Sequence, residues 1–273
     1  MGLPASWHCV GASVLGTSHR QTGKPCQDYC SWQFATLGEE AVAIIALADG
    51  AGSAARSEEG SRLVVETLLH EASRYEGSPK QITDDDAAEW LHNVRRTIEA
   101  HAIEEGCAVD AFHATALLAV LGEMRSVFVQ VGDGGWVVED KEGFRAATWP
   151  QTGEYANVTV FVTSDDALAK MQFVVIDEEI TAVAGFTDGV QSMCLDLAAR
   201  NPHAPFFDRV FAPLHTCKDA SDLHAPLIVL LDSAVVNQRT DDDKTLVLAC
   251  RNPGGSPVSE PEVPPPSADA TMG

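Results

Sequence analysis

Apolar runs of strand length recur in this sequence, and four of them adjoin an aspartate, in three cases beside a glycine. Asp49 follows residues 43–48, Asp133 follows 127–132, Asp188 follows 182–187, and Asp242 comes just before 245–248. A buried strand carries its terminal side chain to a fixed place, and glycine lets the backbone turn tightly there. One Asp-Gly pair indicates only a turn. Four such placements predict a site where carboxylates converge.

The order of the apolar runs limits the fold class. Two helices are predicted, one over residues 57–72 that Ser57 can cap, and one that begins after Thr83. Strands are predicted at 41–48, 114–121, 126–131, 136–138, 144–148, 158–163, 172–176, 180–186 and 245–250. Because strands follow one another instead of alternating with helices, the pattern excludes a doubly wound parallel sheet. It favours an α+β fold of antiparallel sheets packed together, with helices outside.

Domain organisation and compartment follow from composition. Residues 252–273 contain six of the 14 prolines and no aromatic residue, which predicts a disordered Pro/Ser-rich tail after one domain over 1–251. The seven cysteines are scattered without a Cys-x-x-Cys pair, which argues against a disulfide framework or a zinc ribbon. No signal peptide or membrane-spanning apolar run is found, so we expect a cytoplasmic protein.

The net charge of the chain argues against two classes of binding partner. The chain has 18 Lys and Arg against 40 Asp and Glu, a formal net charge of −22. Such a chain repels nucleic-acid phosphates and anionic membrane surfaces, so neither is an expected partner. Most acidic residues are solvated, as at 84–86 at a helix start. The converging carboxylates differ, because they repel one another unless cations neutralise them, and all-oxygen sites suit Mg²⁺ or Mn²⁺.

Five sequence motifs occur in an order that points to one family. They are Gln27-Asp28 at the end of 23–28, Asp49-Gly50-Ala51-Gly52, the pair Ala114-Thr115-Ala116 and Val131-Gly132-Asp133, Thr187-Asp188-Gly189, and Asp242-Asp243-Lys244-Thr245. In this order and spacing, from about residue 11 to 250, the chain resembles the metal-dependent protein phosphatases, the type 2C serine/threonine family, in their compact bacterial form. The resemblance implies two packed antiparallel sheets with helices on both outer faces.

The resemblance also implies a metal centre of two Mg²⁺ or Mn²⁺ ions, with a third ion as in some members. The implied roles are Asp49 bridging two ions, Gly50 lending its backbone carbonyl to one, Asp188 and Asp242 binding the other, Asp28 acting through water, and Asp133 holding a third ion with Asp188. Asp243 is the less suitable alternative to Asp242. The implied catalytic set is Asp49, Asp188 and Asp242.

The implied reaction is hydrolysis of phosphoserine and phosphothreonine on proteins by a hydroxide that bridges the two ions. The expected substrate is a phosphoprotein, a cognate kinase is a candidate second partner, and the expected state is a monomer. None of the cysteines needs a catalytic role.

Three departures from the family pattern leave alternatives open. Gly23 stands where many members have a phosphate-binding arginine, and Arg20 or Lys24 could replace it. Ala51 stands where many eukaryotic members have a histidine, so a metal-bound water or His19 would protonate the leaving oxygen. Gln27 and Asp243 replace the usual Glu and Asn.

The sequence also allows two rival interpretations to be compared with the phosphatase interpretation. A catalytically weak or inactive pseudophosphatase acting as a regulatory adaptor predicts loss of direct metal ligands, whereas Asp49, Asp188 and Asp242 are all present. A calcium-binding β protein predicts a Asp-x-Asp-x-Asp-Gly loop, and 241–243 lacks that spacing. The phosphatase interpretation is therefore favoured.

Overall fold

Two five-stranded antiparallel sheets form the centre of the molecule. The computed structural model describes residues 7–151 and 159–251. The strands are β1 Trp7–Val14, β2 Asp28–Leu37, β3 Glu40–Asp49, β4 Ala116–Leu121, β5 Ser126–Val131, β6 Gly135–Asp140, β7 Gly143–Ala146, β8 Gln172–Ile176, β9 Ala182–Phe186, β10 Leu195–Asp196, β11 Asn201–Pro202 and β12 Lys244–Arg251. The helices are α1 Thr17–Thr22, α2 Ser57–Ser73, α3 Asp84–Glu105, α4 Gln191–Cys194, α5 Ala204–Thr216, α6 His224–Leu231 and α7 Ala234–Asn237.

The order of strands is β1-β12-β9-β6-β7 in one sheet and β2-β3-β4-β5-β8 in the other, with every pairing antiparallel. Strand β5 and strand β6 lie in different sheets, so the short turn at 132–134 crosses from one sheet to the other. Turns and strand ends at this edge can therefore contribute side chains from both sheets to one place.

Side chains alternate between the two faces of each sheet. On β3, Ile45 and Leu47 pack between the sheets, in one cluster with Trp136 and Val247. Ile44 and its neighbours on the opposite face pack against α2 and α3. The outer face of the other sheet packs against α5 and α6. The predicted α+β fold, with helices on both outer faces of two packed sheets, is thus confirmed.

Both predicted helices are present. The hydroxyl of Thr83 caps α3 by accepting the Asp86 N–H at 3.3 Å, and Asp86 bonds back to the Thr83 N–H at 2.8 Å. For α2 the predicted cap is wrong by one position, because Arg56 is the N-cap and Ser57 is the first helical residue.

The strand predicted at 158–163 is wrong for residues 159–163, and Val158 lies outside the described residues. Here the backbone bonds locally: the Ser164 N–H donates to the Phe161 carbonyl and the Phe161 N–H to the Ser164 hydroxyl. Among the described residues, the one ladder-like bond of this segment runs from the Val162 N–H to the Ala114 carbonyl. The apolar side chains Val160 and Val162 are buried, which explains why the run resembles a strand.

The sequence prediction omitted the strands β1, β2, β10 and β11 and the helices α1 and α4 to α7. Strand β2 alternates only loosely, and most of its side chains are half-buried. The single domain over 1–251 stays a prediction, and the tail at 252–273 lies outside the described residues. No helix in the described ranges is long and apolar enough to cross a membrane.

Candidate metal centre

Three aspartates meet at the edge that the two sheets share. Asp49 ends β3, Asp133 lies in the crossing turn between β5 and β6, and Asp188 follows β9. Each offers one carboxylate oxygen, and these three oxygens lie within 4.8 Å of one another. Strands from both sheets therefore bring together residues that are up to 139 positions apart in the chain. All the ligand atoms are oxygens, which is the donor set that Mg²⁺ and Mn²⁺ prefer.

The backbone around Asp49 is held from two sides. Its N–H donates to the Thr115 hydroxyl at 2.8 Å, and its carbonyl accepts the Thr115 N–H at 2.8 Å. The next N–H, that of Gly50, donates to the Gln27 carbonyl at 3.1 Å. A Cβ on Gly50 would lie 2.5 Å from the Ser57 carbonyl oxygen, so only glycine allows this approach. The turn after β3 is thus fixed in place.

Several buried oxygens at this edge have no hydrogen-bond partner among the described residues. They are one carboxylate oxygen each of Asp133 and Asp188, and the side-chain oxygen of Gln27. The second carboxylate oxygen of Asp133 accepts a hydrogen bond from Thr159 at 2.5 Å. Unsatisfied buried acceptors are costly. A cation bound between them would remove that cost, so the residues present fit a divalent metal ion.

The raised pKa values of the clustered carboxylates also fit a site for a divalent cation. Burial, followed by the charges of Asp28, Asp188 and Asp133, raises the pKa of Asp49 well above its usual value. Burial and the charge of Asp133 raise the pKa of Asp188 to about 6, and burial also raises the pKa of Asp133. Desolvation and like charges both disfavour the ionised carboxylates, and a cation reverses both effects.

Asp28 lies opposite Asp49 in the β2–β3 pairing and is buried. One of its carboxylate oxygens accepts hydrogen bonds from the hydroxyls of Thr187 and Thr245, each at 2.8 Å. Burial raises the pKa of Asp28 to about 8, although the two hydroxyls oppose that shift. The hydroxyls fix the carboxylate beside the three clustered aspartates.

Replacing Thr245 by valine should lower the free energy of unfolding by about 1–3 kcal/mol, because a buried acceptor loses a donor while the side-chain volume is kept. Chemical denaturation of the wild type and variant measures the difference. Thr36→Val, the same change at an exposed position of β2, should alter stability by less than about 0.5 kcal/mol. Equal effects at both positions would contradict a role for the Thr245 hydroxyl.

Asp242 and Asp243, the two candidates of the last motif, occupy different surroundings. Asp242 is exposed and lies outside the three-carboxylate cluster, but its charge raises the pKa of both Asp133 and Asp188. Asp243 is buried and spends both oxygens on hydrogen bonds, to the backbone N–H groups of Gly16 and Gln27. Asp242 engages only its Oδ1 atom, which accepts the Asp243 N–H at 2.8 Å, so among the described residues its Oδ2 atom is the oxygen of this pair left to turn towards an ion.

The candidate phosphate-binding cations lie on the connection between β1 and β2. Arg20, on α1, pairs with Asp232 at 3.1 Å, and Lys24 donates to the Gly52 carbonyl at 2.7 Å. Lys24 is therefore next to the turn that follows Asp49. His19 is buried, with its Nδ1 atom 2.9 Å from Asp243. His19 lies in helix α1, and its Nδ1 atom is engaged by the Asp243 carboxylate.

Sequence reasoning missed the polar residues that hold the aspartates. Thr187 and Thr245 could be recognised only as members of the motifs, and Thr115 as part of a motif within a strand. The sequence did not indicate that their hydroxyls hold the aspartates. A threonine directly before a candidate ligand, or at the start of a buried strand, was the available signal. Nothing in the sequence indicated Thr159, because the contact joins two loops that are distant in the chain.

Comparisons with known proteins agree with this architecture. The family model of protein phosphatase 2C matches residues 15–228. Serine/threonine-protein phosphatase 3 of Escherichia coli (strain K12) is 36% identical over 248 residues, covering 89% of this chain and 98% of that protein.

Solved structures of bacterial phosphatases share the fold at low sequence identity. The S. agalactiae serine/threonine phosphatase has a TM-score of 0.63 at 16% identity, covering 90% of this chain and 100% of that one. The catalytic domain of the serine threonine protein phosphatase PstP in complex with two manganese ions has a TM-score of 0.60 at 15% identity, covering 90% of this chain and 98% of that one. The sequence matches and the shared fold together establish that this chain belongs to the protein phosphatase 2C family.

Proposed function

We propose that this chain is a metal-dependent serine/threonine phosphatase that hydrolyses phosphoserine and phosphothreonine on proteins. The observation that carries the proposal is the convergence of Asp49, Asp133 and Asp188, with unsatisfied buried oxygens, in a member of a phosphatase family. An adaptor without catalysis would have no need to keep these costly buried carboxylates together.

The residues that would hold the ions lie at the edge that the two sheets share. We call this the acidic edge, and it consists of Asp28, Asp49, Gly50, Asp133, Asp188 and Asp242. Asp49 would contact two ions, with the Gly50 carbonyl beside it. Asp188 and Asp242 would hold the second ion, and Asp133 together with Asp188 a third. When bound, the ions lower the pKa of a water molecule to give a nucleophile and offset charge on the phosphoryl oxygens.

The chain itself supplies position and charge. Thr115 holds the turn that carries Asp49, and the hydroxyls of Thr187 and Thr245 hold Asp28, which would act on the ions through water. Lys24, which follows α1, and Arg20 on α1 would bind the phosphate of the substrate. Because His19 is buried against Asp243, we assign it no proton transfer.

Further details belong to the same proposal. Manganese is supported as the ion by the PstP structure, and magnesium by the oxygen donor set. We also propose that the protein acts in the cytoplasm as a monomer, on phosphoproteins made by a cognate kinase. All seven cysteines are free of disulfide bonds, which is consistent with that compartment.

Replacing Lys24 by alanine should raise the KM for a phosphorylated peptide about tenfold with a smaller change in kcat, because a cation that binds phosphate contributes to substrate binding. Arg20→Ala should have a smaller effect, since Arg20 is already paired with Asp232. Steady-state kinetics of both variants test this ranking. Arg62→Ala, which removes an exposed cation from α2, is the control and should leave KM unchanged. A larger effect of Arg20 would reverse the assignment.

The test of function is hydrolysis of matched phosphothreonine and phosphotyrosine peptides with Mn²⁺ present. We expect release of phosphate from the phosphothreonine peptide and much slower release from the phosphotyrosine peptide. Preference for phosphotyrosine would overturn the proposed substrate class. No hydrolysis of either peptide, in protein that binds Mn²⁺, would favour the adaptor.

A further inference from the structure

One buried carboxylate ties together both ends and the middle of the connection between β1 and β2, residues 15–27. Asp243 accepts the Gly16 N–H on one oxygen at 2.6 Å. Its other oxygen accepts the Gln27 N–H at 2.6 Å and lies 2.9 Å from Nδ1 of His19. With the carboxylate as the acceptor, Nδ1 of His19 is the donor in this pair. Three donors thus stabilise a carboxylate that is 3% exposed.

The same connection also touches the backbone beside the candidate ligand Asp242. The Ser18 N–H donates to the Asp241 carbonyl at 2.9 Å. Gly16 lies so close to the backbone of 241–242 that a Cβ there would overlap it. Helix α1 is therefore built directly onto the segment that carries a candidate metal ligand.

The cations of this connection are held much less firmly by their own contacts. The side chains of Arg20 and Asp232 are 52% and 38% exposed, and Lys24 is exposed as well. Exposed pairs contribute little to a fixed geometry. The side chains of His19 and Asp243 are only 11% and 3% exposed. The position of α1, and of the cations on and after it, thus depends on the buried pair.

We propose that His19 and Asp243 are positioning residues, which hold α1 and Lys24 in register with the metal-binding aspartates so that a substrate phosphate contacts cation and ions together. This inference rests on the proposed function. Its physical basis is that a displacement of about 1 Å in a positioning group can reduce activity up to about 100-fold. Neither His19 nor Asp243 is expected to contact the reacting atoms.

The test compares three variants of the full chain at position 19. His19→Asn keeps a nitrogen donor near the place of Nδ1, whereas His19→Ala and His19→Leu remove it, and leucine keeps most of the volume. Thermal unfolding first identifies folded variants. The readouts are KM and kcat for a phosphothreonine peptide, the inhibition constant of inorganic phosphate, and Mn²⁺ affinity by calorimetry. His92→Ala, an exposed histidine on α3, is the control.

We expect the alanine and leucine variants to raise both KM and the phosphate inhibition constant about tenfold, with Mn²⁺ affinity nearly unchanged. His19→Asn should recover most of the loss. In a Lys24→Ala background the change at His19 should add little, because both changes remove the same contact.

Three results would overturn the inference. The first is a loss of stability with an unchanged KM, which would leave a structural role only. The second is an equal loss of Mn²⁺ affinity, which would place the effect on the ligand segment. The third is full additivity with Lys24→Ala. Wild-type hydrolysis with Mn²⁺ is measured separately, so failure of the proposed function is distinguished from failure of the positioning role.

Discussion

Asp49→Asn should lower phosphate-ester hydrolysis by at least about 1,000-fold, because the change removes the charge at the centre of the site. Asp49 is the member of the cluster whose pKa is raised by the charges of three other aspartates, Asp28, Asp188 and Asp133. It is therefore the position where one cation would offset the most repulsion. An amide keeps the shape but can contribute only one neutral oxygen. Initial rates at saturating Mn²⁺ measure the effect.

The same variant should separate metal binding from folding. Mn²⁺ at 100 times its dissociation constant should stabilise the wild type by about 2.7 kcal/mol, seen as a higher Tm. In Asp49→Asn this shift should be much smaller. Without metal the variant should be at least as stable as the wild type, because a repelling buried charge has been removed.

The matched control is Asp165→Asn, the same chemical change on a side chain that is fully exposed. It should leave both activity and the Mn²⁺-dependent rise in Tm unchanged. If Asp49→Asn kept more than a tenth of the wild-type rate, the proposed role of Asp49 would be wrong. If it lost activity but kept the full Mn²⁺ shift, the ions would be bound elsewhere.

Gly189→Ala should destabilise the fold by about 3 kcal/mol and reduce activity by at least about 100-fold. Gly189 follows Asp188 and packs directly on the segment that begins β12. A methyl group at this position would overlap the backbone carbonyl of Asp243. Since that atom is backbone, the two strand ends must separate, and Asp188 must then move relative to Asp242. Denaturation and kinetics on one protein preparation measure both effects.

Gly52→Ala provides the comparison, because it makes the same change in another Asp-Gly turn. A Cβ at Gly52 would meet only the side chain of Gln27, at 3.9 Å, and the backbone there needs no glycine. This variant should stay within about 0.5 kcal/mol of the wild type. Equal tolerance at Gly189 and Gly52 would show that the close approach of β9 and β12 is not required.

The central architecture could be predicted because its signals are local. The run that ends at Asp49 is fully apolar, so β3 is evident, and the caps around Thr83 define the start of α3. The convergence of Asp49, Asp133 and Asp188 could be expected from their positions at strand ends. Their shared edge also required the order of strands across two sheets, which the sequence-based reasoning took from the family resemblance.

The remaining parts depend on contacts between distant segments. The run at 159–163 looks like a strand because Val160 and Val162 are buried, yet its backbone bonds locally. The hydrogen bond between His19 and Asp243 joins residues 224 positions apart in the chain. The sequence around either residue gives no signal that predicts this contact. A physical reason to prefer Asp242 over Asp243 as a ligand likewise comes only from the structure, in which both carboxylate oxygens of Asp243 are engaged in hydrogen bonds.

The proposed mechanism requires divalent ions at the acidic edge for activity. Its most direct test is hydrolysis of a phosphothreonine peptide by the wild-type protein, first with a chelator in excess and then after Mn²⁺ is added beyond the chelator. We predict no phosphate release in the chelator and full recovery with Mn²⁺. Hydrolysis that continues at the same rate in the chelator would show that the activity does not depend on divalent ions.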